Sequence, residues 1–128
     1  GLSSIDTRPY QPRDQLPLSM SVPDVQWLSL RPELEGMIVP SKFYSAAAAG
    51  RPVIFIGDSD GEVARMIQRG NCGWTFAPGD SKALAATLGL LADDPAAVAE
   101  KGRNARALID REFTRARAFD AWHALLTE

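Results

Sequence analysis

Cysteine and histidine are nearly missing from this chain: Cys72 and His123 stand alone among its 128 residues. A lone cysteine forms no intrachain disulfide and fits a reducing compartment. With one histidine and no second thiol there is no zinc constellation, and no metal or other cofactor is expected. Long apolar runs are lacking too. Nothing approaches the roughly 18–20 residues that a bilayer span requires, and GLSSIDTRPY at the start has neither the basic beginning nor the apolar centre of a signal peptide. The expected location is cytoplasmic, with the cytoplasmic face of a membrane left open for a longer protein. Nor is there an excess of positive charge. The formal charge is −2, so bulk electrostatics offer nothing to nucleic acid or an anionic membrane.

What is present suits a globular domain: 45% hydrophobic and 23% charged residues, in a chain long enough to bury a core. Its organising stretch runs from Arg31 to Ile56. Glu35-Gly36 lies in an acidic loop. Pro40-Ser41-Lys42 reads as the start of a helix, with Ser41 as N-cap and Lys42 in the first turn. Small side chains carry that helix to Gly50, a terminating glycine, and Pro52 forbids its continuation. Val53-Ile54-Phe55-Ile56 is apolar on both faces, as a covered parallel strand is. A loop feeding a helix start at the edge of a parallel sheet is where α/β proteins place anionic ligands. A surface loop and a well-packed helix remain the plainer alternative.

Around this stretch, strands are expected at Ile5 to Arg8, Val25 to Leu30 and Gly73 to Phe76. A short helical segment with Asp14 as N-cap carries Leu16, Leu18 and Met20. Val63, Met66 and Ile67 mark one face of a helix from Gly61 to Gly70. Asp80 or Ser81 caps a helix with Leu84, Leu88 and Leu91 on one side. Pro95 opens another with Val98, Ala105, Leu108 and Ile109 inward. Thr114 caps a last helix whose apolar face is Phe119, Trp122, Leu125 and Leu126. Strands alternating with helices predict an α/β fold with a mainly parallel sheet of about four strands and helices on both faces, a partial Rossmann-like domain. Residues 1–128 read as one domain, with 1–9 as a displaced strand and 95–128 as C-terminal helices.

The runs ELEGMIVPSKFYSAAAAGRPVIFIG, DGEVARMI, GNCGW, APGDSKALAATL and NARALIDREF together resemble the C-terminal, donor-binding domain of GT-B glycosyltransferases of the group-1, family-4-like type, over roughly Tyr10 to Leu126. The resemblance implies a nucleotide-diphosphate sugar as donor, no metal, and a separate N-terminal domain that binds the acceptor. Glu35 matches the first acid of the family's paired-glutamate motif, the catalytic candidate beside the donor sugar, and Gly36 follows it toward the diphosphate. Pro40, Ser41 and Lys42 match the diphosphate-binding helix start. Gly61-Glu62 match the glycine and glutamate of the next helix, although Glu62 could equally serve its own helix dipole. Gln11 and Arg13 fall in the loop that touches the base; Arg13 is otherwise a surface charge. The motif's second acid is replaced by Ser45, which can bond a ribose hydroxyl but lacks a glutamate's charge and bidentate acceptor.

Two strands and the acceptor domain of that family are not in the chain, which therefore reads as a fragment, inactive alone. If the strand order 3-2-1-4-5-6 applies, strand 4 presents a bare apolar edge, which is expected either to pair with a second copy in a homodimer or to take up the chain's own N-terminal segment out of place. Two other classes stay open: a non-catalytic nucleotide-sugar or phosphate-binding module, and a different doubly wound protein. Against the last stand the absence of a G-x-G-x-x-G helix start and of an acidic phosphorylation pocket.

Overall fold

The computed structural model describes residues 3–127. A 3-10 turn at Arg13–Gln15 leads into helix α1 (Leu16–Ser21), then β1 (Gln26–Ser29), α2 (Lys42–Ala48), β2 (Val53–Ile56), α3 (Glu62–Gly70), β3 (Gly73–Phe76), α4 (Ser81–Asp93), α5 (Pro95–Glu112) and α6 (Arg115–Thr127). The fold is α/β. Its sheet is parallel throughout, in the order β1-β2-β3, the order expected of the last three strands of the doubly wound arrangement.

Among the described residues three strands form rather than four. Ile5 to Arg8, expected as a strand, has no strand structure. Ile5 is 67% exposed, so its side chain has no sheet to pack on, and Asp6 spends its carboxylate on Arg8 within the segment. Gly1 and Leu2 of the 1–9 segment lie outside the described residues. Asp14 is not an N-cap either. It sits inside the 3-10 turn, and α1 begins two residues later with Pro17 in its first turn, where a missing N–H costs nothing.

The alternation of each strand decides its two faces. Leu28, Val53 and Phe55 pack in one cluster with Phe43, Ala46 and Ala47 of α2, with Val63, Ala64, Met66 and Ile67 of α3, and with Ala105 and Leu108 of α5. On the opposite face the register sets Trp27, Ile54 and Trp74 in a row across the sheet. Ile54 in the middle is fully buried, while Trp27 at the edge is 47% exposed.

β1 lies at the edge of the sheet, and among the described residues no strand pairs with its outer side. Gln26 and Leu30 donate N–H toward β2, so the intervening Trp27 turns its backbone outward. Its carbonyl accepts from Lys42 Nζ at 3.3 Å.

Helix ends follow the local chemistry in most places. Gly50 has φ +68°, the left-handed conformation of a terminating glycine. Asp94 caps α5 by accepting from the Ala97 N–H, and Thr114 Oγ1 accepts from the Arg117 N–H at the start of α6. Ser41 occupies the N-cap position of α2, but its hydroxyl makes no capping bond. The apolar face expected to turn α6 inward does not dock: no residue of that helix is buried, and Phe119, Trp122, Leu125 and Leu126 are all exposed. Leu88 of α4 also faces outward more than its partners Leu84 and Leu91. Among the described residues, no helix is long and apolar enough to cross a membrane.

Candidate functional site

Helix α2 has one buried stripe and one open one. Phe43, Ala46 and Ala47 enter the core. The other stripe, one turn apart at Ser41 and Ser45 and continued by Lys42, Ala48 and Ala49, lines a groove against the N-terminal segment. Across it stand Tyr10, Arg13, Leu16, Pro17, Met20 and Ser21. The groove encloses about 940 Å³, within the range of small-molecule sites.

Four of the residues expected at a donor site therefore meet: Arg13, Ser41, Lys42 and Ser45. Two are cations and two carry hydroxyls, and among the described residues no carboxylate lines the groove. With Ser41's hydroxyl unspent on the helix cap, both hydroxyls are available to a ligand. Leu16 and Met20 supply an apolar wall. The sequence places both on a short helical segment without assigning them to a site, although their spacing of four puts them on one helical face. Met20 also packs against the core.

Other expected site residues lie elsewhere. Gln11 folds back, its Nε2 donating to Pro9 O at 2.9 Å, and lines a separate depression with Arg8, Gln15, Leu18, Ser19 and Val22. Pro40 accepts from the Phe43 N–H at 3.0 Å and starts the turn into α2, without lining the groove. Gly36 has φ +80°, with open space where a side chain would stand.

Glu35, Gly61 and Glu62 form a second cluster. Glu35 Oε1 accepts from the Glu62 N–H at 2.7 Å. Glu62 directs its own carboxylate to Arg65 at 3.4 Å, one turn along α3. Nearby, the Tyr44 hydroxyl is pushed above its ordinary pKa, first by burial and then by the negative charge of Glu62.

A further cavity, of about 680 Å³, opens at the carboxyl ends of β1 and β2, lined by Ser29, Arg31, Glu33, Ile56 and Pro78 among others. Parallel α/β sheets commonly bind ligands at that end, and sequence reading had not singled out Arg31. Among the described residues, no group of three or more His, Cys, Asp or Glu is arranged to hold a metal ion. Cys72 is fully buried, and burial pushes its thiol up to about 11, which keeps it from serving as a nucleophile at neutral pH.

Over 62 residues the chain is 36% identical to a probable glycosyltransferase, WbjE, of Pseudomonas aeruginosa. The matched region is 48% of this chain and 16% of that protein, so the chain spans less than a fifth of that relative's length. No family model matches the chain, and no solved structure matches it.

Proposed function

We propose that the chain is the donor-binding part of a GT-B glycosyltransferase of the group-1 type, and that it holds a nucleotide-diphosphate sugar in the groove between α1 and α2. The observation that carries this reading is the convergence of Arg13, Ser41, Lys42 and Ser45 on one groove without a carboxylate. The parallel α/β fold and the partial similarity to a probable glycosyltransferase support it.

Glycosyl transfer breaks the bond between the anomeric carbon and the diphosphate oxygen. Negative charge then grows on the departing diphosphate. Arg13 stands on one wall of the groove and Lys42 on the other. The Lys42 ammonium, which donates to Trp27 O at 3.3 Å, has further N–H donors to turn to that charge. Charge-assisted donors of this kind stabilise a developing anion most where water is scarce. Ser41 and Ser45 add neutral donors. Ser45, in the place of the family's second acid, serves a ribose hydroxyl. The acceptor is bound by a separate N-terminal domain, so this chain alone binds donor without transferring sugar.

One observation favours a second reading. Since no carboxylate among the described residues lines the groove, a nucleotide-sugar module with no chemistry of its own would need nothing that is missing. Calorimetry and turnover separate the possibilities. Nucleoside diphosphates should bind the wild-type chain. Lys42→Ala should weaken binding roughly tenfold or more, the scale of a lost charged hydrogen bond, and Ser45→Ala should weaken it less. Binding unaffected by Lys42→Ala would remove the groove from both readings. Sugar transfer when the full-length protein is supplied, and none with this chain, favours the donor-half reading over the binding module.

A further inference from the structure

We propose that Glu35 is a positioning residue, a latch that fixes the 31–41 loop to the first turn of α3, rather than an acid that acts on the donor sugar. The proposal deepens the donor-groove reading and rests on it only for the ligand-binding half of its test.

The first amides of an α-helix have no partners within the helix. Most helices meet this with a side chain at the N-cap, but the N-cap of α3 is Gly61, which has none. The acceptor comes instead from 27 residues upstream: Glu35 Oε1 at 2.7 Å from the Glu62 nitrogen. A carboxylate there also complements the positive end of the helix dipole. Gly61 keeps the space this needs, since a methyl group on it would lie 2.6 Å from Glu35 Oε2 and 2.7 Å from Cδ. Glycine at 61 and glutamate at 35 thus form one fitted unit.

The loop makes the latch consequential. It is a chain of tight turns, with Leu34 N–H on Arg31 O, Glu35 N–H on Pro32 O and Met37 N–H on Leu34 O. Beyond Glu35, Met37, Ile38 and Val39 are all exposed and add no core packing before the chain reaches Ser41 and Lys42. Releasing Glu35 would leave that approach to the groove loosely held. Glu35 itself does not line the groove, and its hydrogen-bonded oxygen is already committed to a backbone amide.

A latch and a reacting acid respond differently to glutamine. The amide oxygen of Gln still accepts from the Glu62 N–H, so Glu35→Gln keeps the latch while removing the charge. We would measure hydrogen exchange at the Glu62 amide and affinity for UDP, GDP and ADP in the whole chain, for wild type, Glu35→Ala, Glu35→Gln and Gly61→Ala. Glu35→Ala and Gly61→Ala should speed exchange at Glu62 roughly tenfold, as loss of a helix cap does, and weaken nucleotide binding several-fold. Glu35→Gln should restore both most of the way. Unchanged exchange at Glu62 in Glu35→Ala would overturn the latch. So would a glutamine variant that protects Glu62 yet binds nucleotide as poorly as the alanine variant. If the wild type binds none of the three nucleotides, the donor-groove reading fails and the exchange data alone still decide the latch.

Discussion

The carbonyl oxygen of Gly50 occupies the place where a side chain on Gly102 would stand. The contact lets α5 lie directly on the end of α2, with Ala46, Ala47 and Ala105 completing a run of small buried residues. Since α2 carries Ser41, Lys42 and Ser45, this close approach sets the wall of the groove. Gly102→Ala must push backbone apart, and we expect a loss of about 1–3 kcal/mol, the usual cost of overpacking. Chemical denaturation with an unchanged m-value would confirm it; a neutral variant would show that the two helices separate easily.

Cys72 gives a pH prediction. Its thiol in the folded chain titrates at about 11, above the ordinary 9.0, because burial penalises the thiolate more than the nearby positive charge of Lys101 favours it. The folded state therefore prefers the neutral thiol. Its contribution to stability is complete below pH 9 and is lost as pH rises from there through about 11. Native protein at pH 8 should resist iodoacetamide, while unfolded protein should react at once. Equal labelling of both would mean that the thiol is accessible.

Helix α6 should be dispensable for the core. None of its residues is buried, so a chain ending at Thr114 should keep its melting temperature within a few degrees. It should also be less prone to associate, having lost Phe119, Trp122, Leu125 and Leu126. Thermal denaturation and sedimentation check the two parts.

Much of this architecture was legible in the sequence because local signals agreed with tertiary ones. The strand at Gly73 to Phe76, the terminating Gly50 and the proline start of α5 follow from chain chemistry that packing does not contest. Ile5 to Arg8 misled because two-residue alternation is a property of the segment, whereas a strand needs a neighbour. Phe119 to Leu126 misled in the same way: periodicity identifies an apolar face but not what covers it. In the site, Ser41 and Lys42 were legible as the start of α2, and Ser45 only through the family resemblance that marks it as the place of a second acid. The bond from the Glu62 N–H to Glu35 was not legible, because it joins residues 27 positions apart and depends on how the loop turns through Gly36.

If Arg13 and Lys42 act together, their contributions should not be independent. Each single alanine variant should weaken nucleoside-diphosphate binding. The double variant should lose more than the sum of the two free energies, because either cation alone still partly compensates the diphosphate. Strict additivity in calorimetry would place the two side chains on separate ligand groups.

The central claim is that the open stripe of α2 binds the diphosphate of a nucleotide donor. Titration of the labelled chain with UDP, GDP, ADP and dTDP, followed by amide chemical shifts, tests it most directly. The account predicts that at least one nucleotide shifts the amides of Arg13, Ser41, Lys42 and Ser45 together, with one affinity, and that Lys42→Ala weakens that affinity roughly tenfold or more. Shifts confined to Arg31 and the carboxyl ends of β1 and β2, or none with any nucleotide, would contradict it.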